Sequence, residues 1–588
     1  MKGSEFFVKN SETFLLNAGE SSVKVLKYTW NSTGKDNFAP SNSCLGEFRL
    51  YDLGCTIDAK KSWVSPGGWQ SWNPSFEVAP HSRLSSLKCH VVPQWNAYLQ
   101  VPGHKYKRNR NNILCQFVAY LRNGSRYFFI CSTGRVENNV CLPPLYYEVD
   151  RSKAVVRIIA CDQGKVWNQD EKAAEVCFFE CDSYFTAKDC LSKLYENDRF
   201  DCLSFLGKEP GGWESWYNHY ANIDENLVLE DLASLSCTEN VISTLYLKEK
   251  KPAVFQIDDG WEKGLGFWEP NARFPSGLKF ITEKIESASM IPGLWIAPFI
   301  VDIRNPVYAE HPDWILRDEK GKLVKAGYNP AWGKHGTFYA LDLSNNQVLT
   351  WIDGVIDTAI NVWGFRYLKL DFLYAGMLYG RHANGGSAYE WFDRAIKKLT
   401  SRKFNKDGMP VAYLGCGTPL ELSFNVMPLS RIGCDTFEHW ENKIARRIGW
   451  NGRNSACLNL KDTIGHAIWN KSIFWCDPDV IFARKENCTL SDDEKKLIAF
   501  TAFAFGNQVM YSDDPAKCTG SDEHEMTKEI CAMKKKFADE EFSVESILED
   551  IFEIKSRSGK YRGYINISDR NFSKDGINVK PHSYSIIG

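Results

Sequence analysis

The sequence predicts a multidomain α/β protein with an eight-stranded parallel barrel at its centre. Eight short apolar runs rich in β-forming residues recur between Gly211 and Asp514, and segments of helical length separate most of them. Strands that alternate with helices pair in parallel through crossovers, and eight such units close a (β/α)8 barrel. The runs are GGWESWY, AVFQIDDGW, IPGLWIAPF, FRYLKLDFLY, VAYLGCG, LSRIGCD, IFWCDPD and QVMYSDD.

Both ends of the chain need domains of their own, because 588 residues exceed the roughly 250–300 that one core usually holds. Residues 1–190 alternate in short strand-like runs such as SSVKVLKYTW and RYFFICST, which is typical of an all-β sandwich. Residues 191–515 hold a short junction and the predicted barrel. Residues 516–588 begin with a charged helical segment, and the alternating IFEIKSRSGKYRGYINISD then indicates a small β-rich domain.

Composition narrows the range of partners. A formal net charge of −2 provides no sustained field for nucleic acid or an anionic membrane, so we expect neither as a partner. The 19 cysteines show no paired metal-ligand spacing, and we interpret them as reduced, mostly buried thiols. The first twenty residues lack the apolar core of a signal peptide, and no run approaches about 18 apolar residues. We therefore expect a cytoplasmic protein.

Metal and nucleotide patterns are missing from the sequence. The 11 histidines form no H-E-x-x-H pair, and no run matches an EF-hand loop. GGWESWY and GCGTP also lack the spacing of phosphate-binding loops. We expect neither a metal nor a cofactor. The 20 tryptophans are compatible with sugar rings stacking on indole faces, although a large core would explain most of them.

Two strand-end aspartates suit the cleavage of a glycosidic bond. The carboxyl ends of barrel strands form one mouth, so Asp371 and Asp435 would face the same space. Lys369 shares a strand face with Asp371 and would keep that carboxylate ionised, as a nucleophile requires. Apolar Phe437 and Trp440 would favour a protonated Asp435, as an acid requires. Singly, a salt bridge and a helix N-cap explain these aspartates as well; together they match a glycosidase pair.

Other residues at the same predicted mouth suit the binding of a sugar. Asp258 and Asp259 follow an apolar strand and would accept hydrogen bonds from neighbouring hydroxyl groups. Trp295 at a strand end is interpreted as a pocket wall. For Tyr217 and Trp72 the pattern leaves pocket and core open. Four further aspartates are interpreted as supporting or capping groups, namely Asp477, Asp479, Asp513 and Asp514.

In this order, the motifs resemble the α-galactosidases of glycoside hydrolase family 36. The resemblance spans about Trp69 to Asp514. It implies an N-terminal β-supersandwich, a central (β/α)8 barrel, a C-terminal antiparallel β-domain, a retaining mechanism and no cofactor. The motifs are GGWQSW, GWESWYNHY, FQIDDGWE, GLWIAPF, HPDW, YALDLS, YLKLDF, LGCGTPL and SRIGCD.

The resemblance also implies roles for individual residues. It makes Asp371 the nucleophile and Asp435 the acid/base, and it gives galactose O4 and O6 to Asp258 and Asp259. The remaining predicted sugar-binding residues are Lys369 and Arg431 at the ring hydroxyls, Cys416 beside the 2-position, Trp295 as a wall, Tyr217, and Trp72 reaching in from the β-domain. The chain reads RIGCD where many members read RIGPD, and TFEHW follows. These departures flank the acid/base and would affect the leaving-group side of the site.

The sequence therefore predicts a retaining, exo-acting α-galactosidase that cleaves α-galactosyl oligosaccharides or glycoconjugates. An α-N-acetylgalactosaminidase on the same scaffold is one alternative, and a sugar transferase is another. Cys416 favours a free 2-hydroxyl, because an acetamide needs more room there. A non-catalytic glycan-binding protein is the alternative from a different class, and the presence of both Asp371 and Asp435 weighs against it. A homo-oligomer is compatible with the resemblance.

Overall fold

A computed structural model describes residues 6–34, 42–84, 110–136, 140–163, 165–196, 198–329, 332, 336–447, 454–517 and 521–588. Short 3-10 helices in these ranges are Leu50–Leu53, Ala59–Lys61, Asp198–Leu206, Tyr220–Asn222, Pro312–Trp314, Leu373–Met377 and Ala467–Trp469. Two π-helical segments, Ser243–Leu247 and Thr358–Trp363, complete the minor elements of this part of the chain.

The N-terminal region is an all-β sandwich, as predicted. Its six-stranded sheet has the order β1-β2-β10-β7-β6-β4, and its four-stranded sheet has the order β3-β9-β8-β5. Trp30 and Phe128 from the first sheet pack with Ile158 from the second in one buried core, because alternate side chains of each strand point inward. The elements are β1 (Phe6–Ala18), β2 (Ser21–Thr33), β3 (Ser43–Arg49), β4 (Trp63–Ser65), β5 (Asn112–Gln116), β6 (Val118–Asn123), β7 (Arg126–Ser132), β8 (Leu145–Asp150), β9 (Val155–Ala160), β10 (Gln169–Cys181) and α1 (Tyr184–Leu194).

The central region alternates strands and helices along the chain. Its first half contains β11 (Gly211–Glu214), α2 (Trp216–His219), α3 (Glu225–Cys237), β12 (Val254–Ile257), β13 (Glu262–Gly264), β14 (Phe267–Pro270), α4 (Gly277–Ser287), β15 (Ile291–Ile296), β16 (Ile300–Val301), α5 (Pro306–Glu310), β17 (Lys325–Tyr328), β18 (Thr337–Ala340) and α6 (Asn346–Asp357). Its second half contains β19 (Tyr367–Leu370), α7 (Ala388–Leu399), β20 (Ala412–Gly415), α8 (Leu420–Ser423), β21 (Leu429–Arg431), α9 (Lys443–Arg447), α10 (Ala456–Gly465), β22 (Trp475–Asp477), β23 (Val480–Ile481), α11 (Asp492–Phe505) and β24 (Val509–Tyr511).

All eight predicted runs are strands of one parallel sheet, and that sheet closes into a barrel. Its order is β22-β21-β20-β19-β15-β12-β11-β24-β23. Only Pro478 and Asp479 separate β22 from β23, so the two are one kinked strand that pairs with β21 before the kink and with β24 after it. Asp479 has a φ of 83°, in the left-handed region, which produces the kink. The predicted fold class is confirmed.

The C-terminal region begins with helix α12 (Ser521–Lys536) and continues as an antiparallel β-domain. Its main sheet has the order β25-β26-β27-β30, and the hairpin predicted from sequence is the β26-β27 pair. Phe500 of α11 stacks on Tyr584 at 4.5 Å between ring centroids, so this domain packs against the barrel. The strands are β25 (Phe542–Leu548), β26 (Ile551–Ser556), β27 (Arg562–Asn566), β28 (Phe572–Lys574), β29 (Ile577–Val579) and β30 (Ser583–Ile587).

A loop of the N-terminal sandwich docks on the barrel at the segment that follows β20. Ser71 N donates to Thr418 O at 3.2 Å, and Thr418 N donates to Ser71 Oγ at 3.1 Å. The next backbone bond runs from Leu420 N to Trp69 O at 3.0 Å. These bonds fix the sandwich to the carboxyl edge of the barrel. We retain 1–190, 191–515 and 516–588 as proposed domain limits.

Within the described ranges, none of the helices combines the length and the apolar composition that crossing a bilayer requires.

Candidate active site

Asp371 directly follows β19 and accepts two N–H hydrogen bonds. Trp295 Nε1 donates to Asp371 Oδ2 at 3.0 Å, and the amide of Phe372 donates to Oδ1 at 2.6 Å. Phe372 has a φ of 53°, a conformation that costs energy for an aromatic residue and often marks a functional site. The two donors hold this carboxylate in a fixed orientation at the mouth of the barrel.

Lys369, two residues earlier on β19, forms an ion pair with Asp258 rather than with Asp371. Its Nζ lies 2.8 Å from Asp258 Oδ2, and both side chains are buried. Gln256 Nε2 donates to the same oxygen at 2.7 Å. Burial alone would lower the pKa of Lys369, but the charges of Asp258 and Glu214 outweigh it, and this pKa lies well above its ordinary value. The ammonium therefore stays charged and ties β19 to β12.

Asp435 lies beyond the end of β21 and has a different environment. Arg431 Nη2 is 3.2 Å from its Oδ1, and Asn454 Nδ2 donates to its Oδ2 at 3.1 Å. Burial raises the pKa of Asp435 to about 6, with help from the charges of Asp479 and Asp371 and against the opposing charge of Arg431. The direction agrees with the prediction, although Trp440, one of the two apolar neighbours behind it, stacks instead on His582 of the C-terminal domain at 4.3 Å between ring centroids. Because 32% of this side chain is exposed, a ligand in the mouth can reach it.

Asp435 is not a helix N-cap, since the chain after it forms no helix before α9. That alternative interpretation of the sequence is wrong.

Asp479, at the kink between β22 and β23, organises the acidic side of the mouth. Its Oδ1 lies 3.0 Å from Arg431 Nη1, and its Oδ2 accepts bonds from Tyr217 Oη at 2.6 Å and from Thr436 N at 2.8 Å. These three contacts are consistent with the supporting role that the sequence predicted for Asp479. Tyr217 is only 2% exposed, and its hydroxyl already donates to Asp479, so its ring packs beneath the barrel mouth.

Asp259 is the second aspartate of the IDDGW motif and is also buried. Trp332 Nε1 donates to Asp259 Oδ2 at 2.7 Å. Burial and the nearby carboxylate of Glu262 raise the pKa of Asp259 well above its usual value. The backbone amide of Asp259 donates to the carboxylate of the neighbouring Asp258 at 2.9 Å, which fixes the turn that carries both residues. Both aspartate side chains are buried at the barrel mouth and are shielded from bulk solvent.

Aromatic rings enclose the same space. Trp72, carried by the docked sandwich loop, meets Phe372 at 5.4 Å and Tyr374 at 5.7 Å between ring centroids. A Cβ on Gly417 would lie 2.9 Å from the Trp72 ring, so the chain after β20 passes directly against that indole. Cys416, immediately before Gly417, is 1% exposed, and burial raises the pKa of its thiol. The sandwich thus supplies one wall of the barrel mouth.

Glu214 and Trp332 belong to this site although the sequence did not single them out. Glu214 ends β11, is 2% exposed, and has an Oε1 atom that makes no hydrogen bond. Burial, opposed by the charge of Lys369, raises the pKa of Glu214 well above its usual value. Its place at the end of a predicted barrel strand was a usable signal. Trp332 lies between β17 and β18, where periodicity carries no signal.

The arrangement brings together a fixed carboxylate, a second carboxyl whose pKa burial raises to about 6, and two buried cations, Lys369 and Arg431. A carboxylate held by N–H donors is available for nucleophilic attack. A carboxyl whose pKa is about 6 can give and take a proton in mildly acidic solution. Buried Asp258, Asp259 and Lys369 offer acceptors and a donor for hydroxyl groups. These are the parts that glycosidic cleavage needs.

Comparison with known proteins finds similarity to α-galactosidases. The Melibiase family model matches residues 237–376. Alpha-galactosidase C from Emericella nidulans is 35% identical over 186 residues, which are 27% of this chain and 23% of that protein. Probable alpha-galactosidase C from Aspergillus flavus is 27% identical over 198 residues, or 31% of this chain and 24% of that protein. The match thus spans about a quarter of the length of these curated relatives.

Solved structures extend the similarity of fold to almost the whole chain. The alpha-galactosidase TtGalA from Thermus thermophilus superposes with a TM-score of 0.66 at 23% identity, covering 95% of this chain and 99% of that one. The GH36 alpha-galactosidase AgaA from Geobacillus stearothermophilus gives a TM-score of 0.56 at 13% identity, covering 99% and 84%. The predicted resemblance to family 36 α-galactosidases is confirmed.

Proposed function

We propose that this chain, which has the fold of family 36 α-galactosidases, is a retaining, exo-acting α-galactosidase. The observation that carries the proposal is the pair of carboxyl groups at one barrel mouth. Asp371 is held by N–H donors, whereas Asp435 has a pKa of about 6 and is open to the mouth. One group suits attack on a sugar carbon, and the other suits proton transfer to the leaving oxygen.

In the first step, Asp371 Oδ attacks the anomeric carbon of the terminal galactose. The bond from that carbon to the leaving oxygen breaks as a galactosyl ester of Asp371 forms. Asp435 gives its proton to the leaving oxygen, so the aglycone departs as a neutral alcohol. Trp295 Nε1 and the Phe372 amide keep the attacking carboxylate oriented, which supports the proximity that this step needs.

In the second step, the ionised Asp435 removes a proton from water as that water attacks the anomeric carbon. The ester bond to Asp371 breaks, and α-galactose leaves with its original configuration. Asp435 is then protonated again. A pKa near 6 suits both duties, because the group must hold a proton in one step and accept one in the next.

The galactose itself would be held by the buried groups around Asp371. Asp258 and Asp259 would accept bonds from O4 and O6, Lys369 and Arg431 would donate to ring hydroxyls, and Trp295 and Trp72 would wall the ring. Tyr217 acts through Asp479 in this proposal, because its hydroxyl already bonds that carboxylate. Cys416 would face the 2-position, where a nearly completely buried thiol favours a hydroxyl over an acetamide.

The proposed substrate is an α-galactosyl oligosaccharide or glycoconjugate. TtGalA has been solved with stachyose, and one AgaA variant has been solved with raffinose, which supports this class of substrate. We further propose that the protein works in the cytoplasm. The described cysteines form no disulfides, a state that fits a reducing compartment.

A panel of nitrophenyl glycosides tests the proposal directly. We expect turnover of the α-galactoside and little or none of the β-galactoside or the α-glucoside. An α-N-acetylgalactosaminide that was cleaved faster than the α-galactoside would overturn the assignment of the sugar. Proton NMR of the first product should show the α-anomer, and a β-anomer would overturn the retaining mechanism.

A further inference from the structure

A second cavity lies where the three regions of the molecule meet. Its volume is about 830 Å³, within the roughly 300–1,000 Å³ typical of small-molecule sites, which often form between domains. The N-terminal sandwich contributes Trp63 and Phe76, the barrel contributes Trp440, and the C-terminal domain contributes Phe572. The residues assigned above to the galactose site are not among those that line it.

One wall of this cavity is formed by the end of a chain segment, called the ribbon here, that runs from Asp435 to Trp440. The ribbon is held by backbone bonds from Ala456 N to His439 O at 3.1 Å and from Cys457 N to Trp440 O at 2.9 Å. Its near end is closed by the bond from Asn454 to Asp435. Trp440 follows Asp435 by five residues, so the two Cα atoms are at most about 18 Å apart. The sequence TFEHW forms this connection.

The lining of the cavity suits a neutral ligand with both hydroxyl groups and flat apolar faces. Five carboxylates and three basic side chains line it, so neither sign of charge dominates. Lys461 and Asp550 neutralise each other in an ion pair of 2.5 Å. The rings of Trp440, Phe76 and Phe572 are half-buried, which leaves apolar surface available in the cavity. Sugar chains present this combination of polar edges and apolar ring faces to aromatic side chains.

We propose that this cavity is a distal subsite that binds the far sugar units of an oligosaccharide on its leaving-group side, with Trp440 as the main contact. The inference rests on the proposed function, because Asp435 protonates the oxygen that leads to those units. A tetrasaccharide whose terminal galactose occupies the mouth would run from Asp435 along the ribbon toward Trp440. The short aglycone of an aryl galactoside would end before the cavity.

The test compares two substrates in one variant. In Trp440→Ala we expect the KM for stachyose to rise about five- to tenfold, the effect of losing one aromatic contact, while the KM for nitrophenyl α-galactoside stays unchanged. Trp440→Phe should keep most of the affinity for stachyose. Tyr51→Ala removes an aromatic side chain that is 80% exposed and serves as the matched control, with no change for either substrate.

If Trp440→Ala leaves both KM values unchanged, or raises both by the same factor, the proposed subsite is overturned. Trp440 also stacks on His582 at 4.3 Å, so the melting temperature of each variant must be measured. If Trp440→Ala does not fold, Arg570→Ala at an exposed position of the lining carries the same comparison. If the wild type cleaves neither substrate, the proposed function fails. Calorimetric titration of wild type and Trp440→Ala with stachyose then tests independently whether the cavity binds this sugar.

Discussion

The ends of β19 and β21 carry the same type of side chain in opposite surroundings. At the end of β19, Asp371 receives hydrogen bonds from an indole and an amide. At the end of β21, Asp435 has Arg431 beside it, yet burial and the charge of Asp479 raise its pKa to about 6. Neighbours from other strands, and not the residue type, therefore separate the two proposed roles.

The largest expected effect comes from removing the carboxylate at the β19 end. Asp371→Ala should reduce kcat for nitrophenyl α-galactoside by at least about 10⁴-fold, because the ester intermediate can no longer form. Added azide should restore part of the turnover and yield β-galactosyl azide, which chromatography and NMR identify. Full activity in this variant would end the assignment of Asp371.

Asp435→Asn should affect substrates unequally, which distinguishes the β21 end from the β19 end. With stachyose, whose leaving oxygen needs a proton, kcat/KM should fall by about 10²–10⁴-fold. With an activated dinitrophenyl galactoside the first step needs no proton, so the burst of released phenolate should survive. Equal losses for both substrates would contradict the role of Asp435 as the acid.

Trp295→Phe removes the indole donor and keeps an aromatic ring. A hydrogen bond to a charged group contributes about 1.5–3 kcal/mol, so kcat should fall about 10- to 100-fold. Trp268→Phe is the control, because Trp268 packs against Trp295 with ring centroids 6.0 Å apart and its loss leaves that bond in place. Similar activities in the two variants would show that the bond to Asp371 does not matter.

The smallest expected effect is a change of pH dependence in Asp479→Asn. Asp435 must be protonated to act as an acid, so kcat/KM for stachyose should fall as the pH rises through its pKa of about 6. The charge of Asp479 raises that pKa, so its removal should move the alkaline limb to lower pH, by about one unit. Asp514→Asn, after β24, should leave the limb unmoved. A shift to higher pH would show that Asp479 acts differently.

Several parts of the site could be predicted because they depend on local pattern. The alternation of short apolar runs and helices placed eight strands correctly, and the segments just after such strands form the mouth of the barrel. Asp258, Asp259 and Asp371 directly follow their strands, and Asp435 lies four residues beyond the end of β21. Glu214 satisfied the same rule and was missed, although it lies at the end of the strand predicted from GGWESWY.

The hydrogen-bond and ion-pair partners of the site residues could not be predicted, because these contacts join residues that are distant in sequence. The bond between Lys369 and Asp258 spans 111 positions, and the bond between Trp332 and Asp259 spans 73. The sequence pattern placed Lys369 beside Asp371, its neighbour on the strand, but the barrel turns this ammonium toward β12. The contact of Trp72 with Phe372 depends on how one domain docks on another, which periodicity does not encode.

The architecture and the residue types at the mouth follow from the amino-acid sequence, because side-chain periodicity and strand-end positions are local properties of the chain. The pKa shift of each group, the wall that Trp72 supplies and the second cavity beside Trp440 depend on the folded arrangement, because burial and electrostatic coupling are set by distances in space. Those distances exist only once the barrel has closed and the two β-domains have packed against it.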